Sequence, residues 1–137
     1  MRRDICRDKN ILSIVSVDAT KDDLNVAIDL LDTLKANANR CVGMASNMIG
    51  INKRIICIDD NGEYIVMINP KVLKVSKETY KTEEGCLSLD GVRETLRYQS
   101  IKVEYTTIDW KKKIKTYDGF TAQIIQHELD HLEGTLV

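Results

Sequence analysis

The sequence predicts an α+β fold with mostly antiparallel β-sheets packed around a C-terminal helix, and an amphipathic helix near the N-terminus. Three observations support this prediction. One helical pattern comes early, a series of short strand patterns with turn signals fills the middle, and a second helical pattern lies near the end. The second helical pattern contains the motif H-E-x-x-H, from His127 to His131.

Length and composition predict one domain, residues 1–137, with an aliphatic core. Hydrophobic residues make up 43% of the chain and aromatic residues 5%, so Ile, Leu and Val should fill the core. The net charge is −1 and the basic residues are scattered, so we expect no direct nucleic-acid binding. No apolar run has the length of a membrane span and no signal-peptide core follows Met1, so we expect a cytoplasmic protein.

The early helical pattern begins at Thr20, and Asp23 three positions later gives a weak capping box. The pattern fades at Asn37. Its apolar residues recur at helical spacing and predict a scaffold helix: Leu24, Ala27, Ile28, Leu31 and Leu34.

Residues 41–50 follow, with small side chains and two glycines that allow close approach of another backbone. They have two open interpretations, a tight turn before a strand or a loop that lines a substrate site. Neither the spacing nor the composition of this segment decides between them.

Strand patterns occupy the middle of the chain. Residues 54–58 and 64–68 form a predicted hairpin around the turn signal Asp-Asn-Gly at 60–62. Asn69 and Pro70 end that run, so 72–75 is expected to be a separate short strand. Further on, residues 101–105 alternate as a half-exposed strand does, and 114–117 return after a lysine-rich turn.

The late helical pattern starts after Asp118, a preferred N-cap residue, and stops at Gly134. The only two histidines, His127 and His131, are four residues apart, so a helix places them on one face. Glu128 lies one position round from His127. This spacing is typical of a catalytic zinc-type site with a carboxylate that moves protons. The alternative is an exposed amphipathic helix that carries these residues by chance.

A catalytic metal site usually has three protein ligands and a water, so a third ligand is needed. Glu133 lies two positions from His131 and points to another face of the helix. No third histidine exists. The third ligand is therefore expected upstream, and both the cysteines and the carboxylates remain candidates. The cysteines form no C-x-x-C pair and are expected to be free thiols: Cys6, Cys41, Cys57 and Cys86.

Residues 84–88, Glu-Gly-Cys-Leu-Ser, and residues 126–132, Gln-His-Glu-Leu-Asp-His-Leu, together resemble the peptide deformylase family. That family carries an E-G-C-L-S segment and a Q-H-E-x-D-H-L helix, and the glycine-rich loop at 43–50 matches a third motif in part. The resemblance covers most of the chain, from the first helix onward.

The resemblance implies that Cys86, His127 and His131 bind one divalent metal ion, Fe²⁺ by preference with Zn²⁺, Ni²⁺ or Co²⁺ as alternatives. It implies that Glu128 moves the proton of a metal-activated water. The reaction would remove the N-formyl group from the N-terminal formylmethionine of nascent polypeptides and release formate. The backbone N–H of Leu87 would bind the developing oxyanion.

By the same resemblance, the partners are formylated nascent peptides, met at the ribosome, and the protein is a monomer. The peptide is expected to lie extended near Gly43 and Cys86. Val42 and Ile124 are expected to wall the methionine pocket, and Arg93 to contact the peptide.

The loop departs from the family at one serious position. Met48 stands where the family has a glutamine whose amide binds the oxyanion, and a thioether donates no hydrogen bond. Loss of one such donor costs roughly 10²–10³ in rate. Ser46 or Asn47 would replace the donor only if the loop were rotated.

Three further hypotheses remain beside an active deformylase. Met48 motivates a non-catalytic or very slow homologue that binds metal and peptide. A zinc endopeptidase is disfavoured because no downstream ligand follows His131. A purely structural metal site would need a fourth protein ligand.

Overall fold

The computed structural model describes residues 1–137 and shows a five-stranded sheet, a two-stranded hairpin and three α-helices. The helices are α1 Lys9–Leu12, α2 Leu24–Ala36 and α3 Gly119–Leu132. The strands are β1 Gly43–Ala45, β2 Ile55–Asp60, β3 Glu63–Val75, β4 Thr79–Cys86, β5 Leu89–Tyr98, β6 Ser100–Thr106 and β7 Lys112–Asp118. Short 3₁₀ helices occupy Lys21–Asp23 and Ser46–Ile49. This architecture confirms the α+β prediction.

All named strands pair antiparallel. The large sheet has the order β1-β2-β3-β6-β7, and β4 and β5 pair only with each other. β1 is therefore an edge strand, with a strand neighbour on one side only. Gly43 on β1 and Cys86 at the end of β4 line the same cavity, and this relationship positions the site described below.

Strand β2 is buried on both faces because a helix covers each side of the sheet. Ile55 and Cys57 belong to the core cluster that contains α2, whereas Ile56 and Ile58 belong to the cluster that contains α3. A strand buried on both sides reads as a continuous apolar run, which is what residues 55–58 are. The core is aliphatic, as the composition predicts.

Helix α2 follows the predicted capping box. The Thr20 side chain accepts a hydrogen bond from the N–H of Asp22, and Asp23 accepts one from the N–H of Thr20 at 2.9 Å. The capped turn is 3₁₀, and the α-helix itself begins at Leu24. Ile28, predicted in the buried stripe, is 48% exposed, and the buried apolar face instead consists of Val26, Ala27, Leu30 and Leu34.

Helix α3 occupies the predicted position, with Asp118 as N-cap residue and Gly134 in the left-handed conformation after the end. The Asp118 side chain makes no capping hydrogen bond. Phe120 is exposed, and the buried apolar residues of the helix are Ala122, Ile124, Ile125 and Leu132. None of the three helices combines the length and hydropathy needed to cross a membrane.

One strand prediction was wrong, and one pair of strands was not predicted. Residues 63–75 form one strand, β3, rather than two, because the chain passes Asn69 and Pro70 in a bulge where the pairing register shifts. Asn69 takes a φ of 51°, and its amide bonds both backbone groups of Ala19 at 2.8 Å and 2.9 Å. The hairpin of β4 and β5 was not predicted, because few of its residues are buried and it lacks a clear apolar alternation.

Candidate active site

Helix α3 turns His127, Glu128 and His131 toward the protein interior. All three are buried, and His131 is fully so. The apolar residues of the helix pack against β1 and β2 through the second core cluster, which fixes the rotation of the helix about its axis. This orientation excludes the alternative of an exposed helix that carries two histidines by chance.

Cys86, the last residue of β4, brings a third donor atom to the two imidazoles. Its Sγ lies 3.4 Å from Nε2 of His131, and that Nε2 lies 3.2 Å from Nε2 of His127. The three donor atoms all lie within 4.8 Å of one another. The structure therefore brings together all three residues that the sequence analysis expects to bind a metal.

The donor set fits a single cation. Ligands of one tetrahedral ion, at bond lengths of about 2.0–2.3 Å, have donor atoms roughly 3.3–3.6 Å apart, close to the two measured separations. Hydrogen bonds from His131 do not account for both contacts. A single proton on Nε2 of His131 can be donated to Sγ of Cys86 or to Nε2 of His127, but not to both. Burial also lowers the pKa of His131 to about 3, so this imidazole is neutral and keeps a lone pair for a metal.

Cys41 also borders this region, yet it is not a member of the donor cluster. Its thiol donates to the carbonyl oxygen of Gly43 at 2.8 Å. Burial raises the pKa of the Cys41 thiol to about 12, so it stays protonated at neutral pH. Cys86 is therefore the cysteine placed to bind a metal.

A buried ion-pair network lies behind His127. Nδ1 of His127 is 2.7 Å from Oε1 of Glu84, and the Arg97 guanidinium bonds both oxygens of Glu84. Arg97 is 4% exposed and also donates to Asp130 on α3 at 2.6 Å. Burial alone would raise the pKa of Glu84, but the hydrogen bonds from His127 and Arg97 bring it down to about 2. Glu84 is thus an anion that holds the His127 ring in place.

Glu128 is 3% exposed, and its Oε1 atom has no hydrogen-bond partner in the protein. Burial raises the pKa of this carboxyl group to about 7, despite the opposing effect of His127. A buried carboxylate with an unused acceptor beside three metal-type donors is suited to taking up a proton. The side chain fits only because residue 43 is a glycine. A Cβ there would lie 2.8 Å from Oε2 of Glu128 and 2.6 Å from Cγ2 of Ile124.

A cavity of about 660 Å³ opens onto these groups. Its lining includes four of the five predicted substrate-binding residues: Val42, Gly43, Met48 and Ile124. Arg93 is the fifth and is not among the lining residues; it lies on β5, paired with Glu84 across the hairpin. Leu87 also lines the cavity, next to Cys86.

Met48 is 1% exposed and packs in the core beneath the cavity. Neither neighbour supplies the donor that the side chain lacks. The Ser46 hydroxyl bonds the carbonyl oxygen of Lys53, and the Asn47 amide donates to the backbone oxygen of His131 at 2.8 Å. Both side chains are buried and turned away from the cavity lining, so the loop is not rotated in the way that such a replacement would require.

Comparison with known proteins gives one family throughout. The family model for polypeptide deformylase matches residues 5–137. The peptide deformylase of Clostridium beijerinckii is 49% identical over 137 residues, the full length of both chains. The peptide deformylase of Cytophaga hutchinsonii is 36% identical over 92% of this chain and 74% of its own.

Solved structures agree with the sequence relatives. The crystal structure of peptide deformylase from Thermotoga maritima has a TM-score of 0.89 and 30% identity, covering 99% of this chain and 95% of that one. The Met-Ala-Ser-bound class I type b peptide deformylase from Acinetobacter baumannii has a TM-score of 0.88 and 28% identity, over 99% and 97% of the two chains. These matches confirm the predicted fold and enzyme class and give no support to a non-catalytic homologue.

Proposed function

This chain belongs to the polypeptide deformylase family, and we propose that Cys86, His127 and His131 hold the divalent cation on which its activity depends. The activity is hydrolysis of the N-formyl group from the N-terminal formylmethionine of nascent polypeptides, with release of formate. Thiolate and imidazole ligands suit Fe²⁺ and Zn²⁺. Fe²⁺ is the ion we propose, with Zn²⁺, Ni²⁺ or Co²⁺ as substitutes.

Glu128 and Leu87 carry out the steps that belong to the protein. When bound, the cation supplies the Lewis acidity that makes a water molecule nucleophilic at neutral pH. Glu128 accepts a proton from that water at its free carboxylate oxygen and passes it to the nitrogen of the departing amine. The backbone N–H of Leu87 donates to the formyl oxygen as negative charge develops there.

The peptide lies extended along the free edge of β1 and pairs its backbone there. Val42, just before β1, and Ile124 on α3 both line the cavity and receive the methionine side chain. Gly43 keeps the strand close to Glu128, so the bound backbone comes near the proton-transfer group. The Acinetobacter relative with bound Met-Ala-Ser supports this reading, because that tripeptide is what a formylated Met-Ala-Ser leaves after deformylation.

The wider setting follows from the substrate. Nascent chains carry the formyl group while they leave the ribosome, so the protein acts in the cytoplasm and meets its substrates at the ribosome. Residues 1–137 make up one catalytic domain that works as a monomer. Arg93 contacts residues of the peptide beyond the cavity.

The proposal is supported most directly by the two contacts of 3.2 Å and 3.4 Å that join Cys86, His131 and His127 beside Glu128. Formate release from a formyl-Met tripeptide by the Fe²⁺-loaded chain tests it. Glu128→Gln should lower kcat about 10²–10⁴-fold with unchanged metal content. Glu133→Gln, at the exposed end of the same helix, should stay within twofold of the parent chain. Equal rates for the parent chain and Glu128→Gln would refute the proposal.

A further inference from the structure

The segment before α1 contacts two backbone segments that line the cavity, one at Met48 and the other at Leu87. The N–H of Cys6 donates to the carbonyl oxygen of Met48 at 2.7 Å. Nη1 of Arg7 donates to the carbonyl oxygen of Leu87 at 3.0 Å, and Nη2 of Arg7 is 2.5 Å from Oδ1 of Asp90. Arg7 also lines the cavity. Residues 6 and 7 thus connect the glycine-rich loop, residues 43–50, to the tip of the β4–β5 hairpin, residues 86–90.

The hairpin tip is not held by strand pairing with the large sheet. β4 and β5 pair with no other strand, and their register shifts between Gly85 and Cys86, just before the tip. The tip nevertheless carries both a metal-ligand residue and the Leu87 amide. Glu84 is held by Arg97 at the base of the tip, but that network does not reach the peptide group after Leu87. The Leu87 carbonyl is held by Arg7 across 80 positions of sequence.

We propose that Arg7 is a positioning residue for deformylation: by fixing the Leu87–Ser88 peptide group and the turn to Asp90, it limits rotation of the Leu87 backbone, so that the N–H on the other side of the Leu87 Cα points at the formyl oxygen. The inference rests on the role proposed above for Leu87. The Met48 side chain donates no hydrogen bond, so the Leu87 N–H is the one protein donor assigned to that oxygen. Its orientation then affects the rate directly, since a misaligned donor loses most of its hydrogen bond.

The guanidinium group suits this task. Its planar fork donates to the Leu87 oxygen and to Asp90 at the same time, and a lysine ammonium, a single point donor on a flexible stem, does not reproduce that pair. The Arg7 side chain is 56% exposed and that of Asp90 is 97% exposed. Ion pairs this exposed add little to the stability of a protein. Loss of Arg7 should therefore appear in kcat rather than in Tm, which separates positioning from a purely structural role.

The experiment compares kcat, KM and Tm of four Fe²⁺-loaded full-length variants with the parent chain on a formyl-Met tripeptide. Arg7→Met should lower kcat about tenfold, with KM and Tm close to the parent values. Arg7→Lys should recover part of the loss. Arg7→Met combined with Asp90→Asn should be no slower than Arg7→Met alone, because both act through one turn. Lys9→Met removes an exposed charge two residues away and should match the parent chain.

Arg7→Met with the kcat of the parent chain, or a loss no larger than that of Lys9→Met, would overturn the inference while the proposed function stands. A fall in Tm that accounts for the loss, with no recovery in Arg7→Lys, would overturn it as well. A parent chain that releases no formate would instead overturn the proposed function, and this inference with it.

Discussion

Oε1 of Glu84 lies 2.7 Å from Nδ1 of His127. Because a carboxylate only accepts, Nδ1 carries a proton, and Nε2 is the ring nitrogen that faces Cys86 and His131. Arg97 bonds both oxygens of Glu84, so the carboxylate is fixed from behind. Burial alone would lower the pKa of His127, but its hydrogen bonds with Cys86 and Glu84 raise it to about 10. The ring is therefore held in one orientation before a metal arrives, and metal binding displaces the proton on Nε2.

Glu84→Gln should weaken metal binding about 10–100-fold, because the amide keeps the shape of the carboxylate but loses its charge toward His127 and Arg97. Competition with a chromophoric chelator measures the affinity. Glu94→Gln is the matched control, an exposed glutamate on β5 of the same hairpin, and it should leave the affinity unchanged. An affinity of Glu84→Gln within twofold of the parent chain would contradict this account of the Glu84 contact.

Arg97→Met should destabilise the fold by about 3–5 kcal/mol, since it leaves Glu84 buried without its cation. Asp130 is 35% exposed and loses its partner at smaller cost. Urea denaturation of the chain measures the free energy of unfolding. Lys102→Met, on the exposed face of β6, is the control and should change it by less than about 0.5 kcal/mol. A change of that small size in Arg97→Met would show that the network does not stabilise the fold.

Gly43→Ala should lower kcat about 100-fold, because its Cβ would lie 2.6 Å from Ile124 and 2.8 Å from Glu128 and would push the carboxylate aside. Gly85→Ala is a useful contrast. A Cβ there meets its nearest atoms at 3.6 Å and 3.7 Å, ordinary contact distances, so its loss should be below about tenfold. Steady-state formate release gives both values. Equal losses in the two variants would mean that close approach of β1 to Glu128 is not required.

Met48→Gln should raise kcat, by up to about 100-fold, because the amide offers the oxyanion a second donor beside the Leu87 N–H. Met48→Leu keeps the apolar character and nearly the same volume, and it should leave kcat near the parent value. The comparison isolates the donor from the packing of residue 48. A kcat of Met48→Gln no higher than that of Met48→Leu would show that the site does not use a donor at this position.

The proposed metal-ligand set could be predicted largely from local pattern. His127 and His131 share a helix face by spacing alone, and the start and end of α3 follow from Asp118 and Gly134. Cys86 could not be chosen by spacing, since other cysteines and carboxylates remained, and only the E-G-C-L-S resemblance selected it. In the structure, Sγ of Cys86 lies 3.4 Å from Nε2 of His131.

Arg97 and Arg7, which support the site, belong to no local sequence pattern. Arg97 joins Glu84 across 13 positions and Asp130 across 33, and Arg7 reaches Leu87 across 80. Contacts of this kind depend on which strands and loops pack together, which no local periodicity records. The β4–β5 hairpin was missed for a related reason, because a two-stranded element with mostly exposed side chains lacks the apolar alternation of a half-buried strand.

X-ray absorption at the metal edge of the Fe²⁺- or Zn²⁺-loaded chain tests the proposed centre most directly. We expect one sulfur scatterer at about 2.3 Å and two imidazole nitrogens at about 2.0–2.1 Å, with one further light-atom ligand from solvent. Cys86→Ser should remove the sulfur contribution while both histidine contributions remain. A parent chain with no sulfur at bonding distance, or with four protein ligands and no solvent ligand, would contradict the proposed catalytic site.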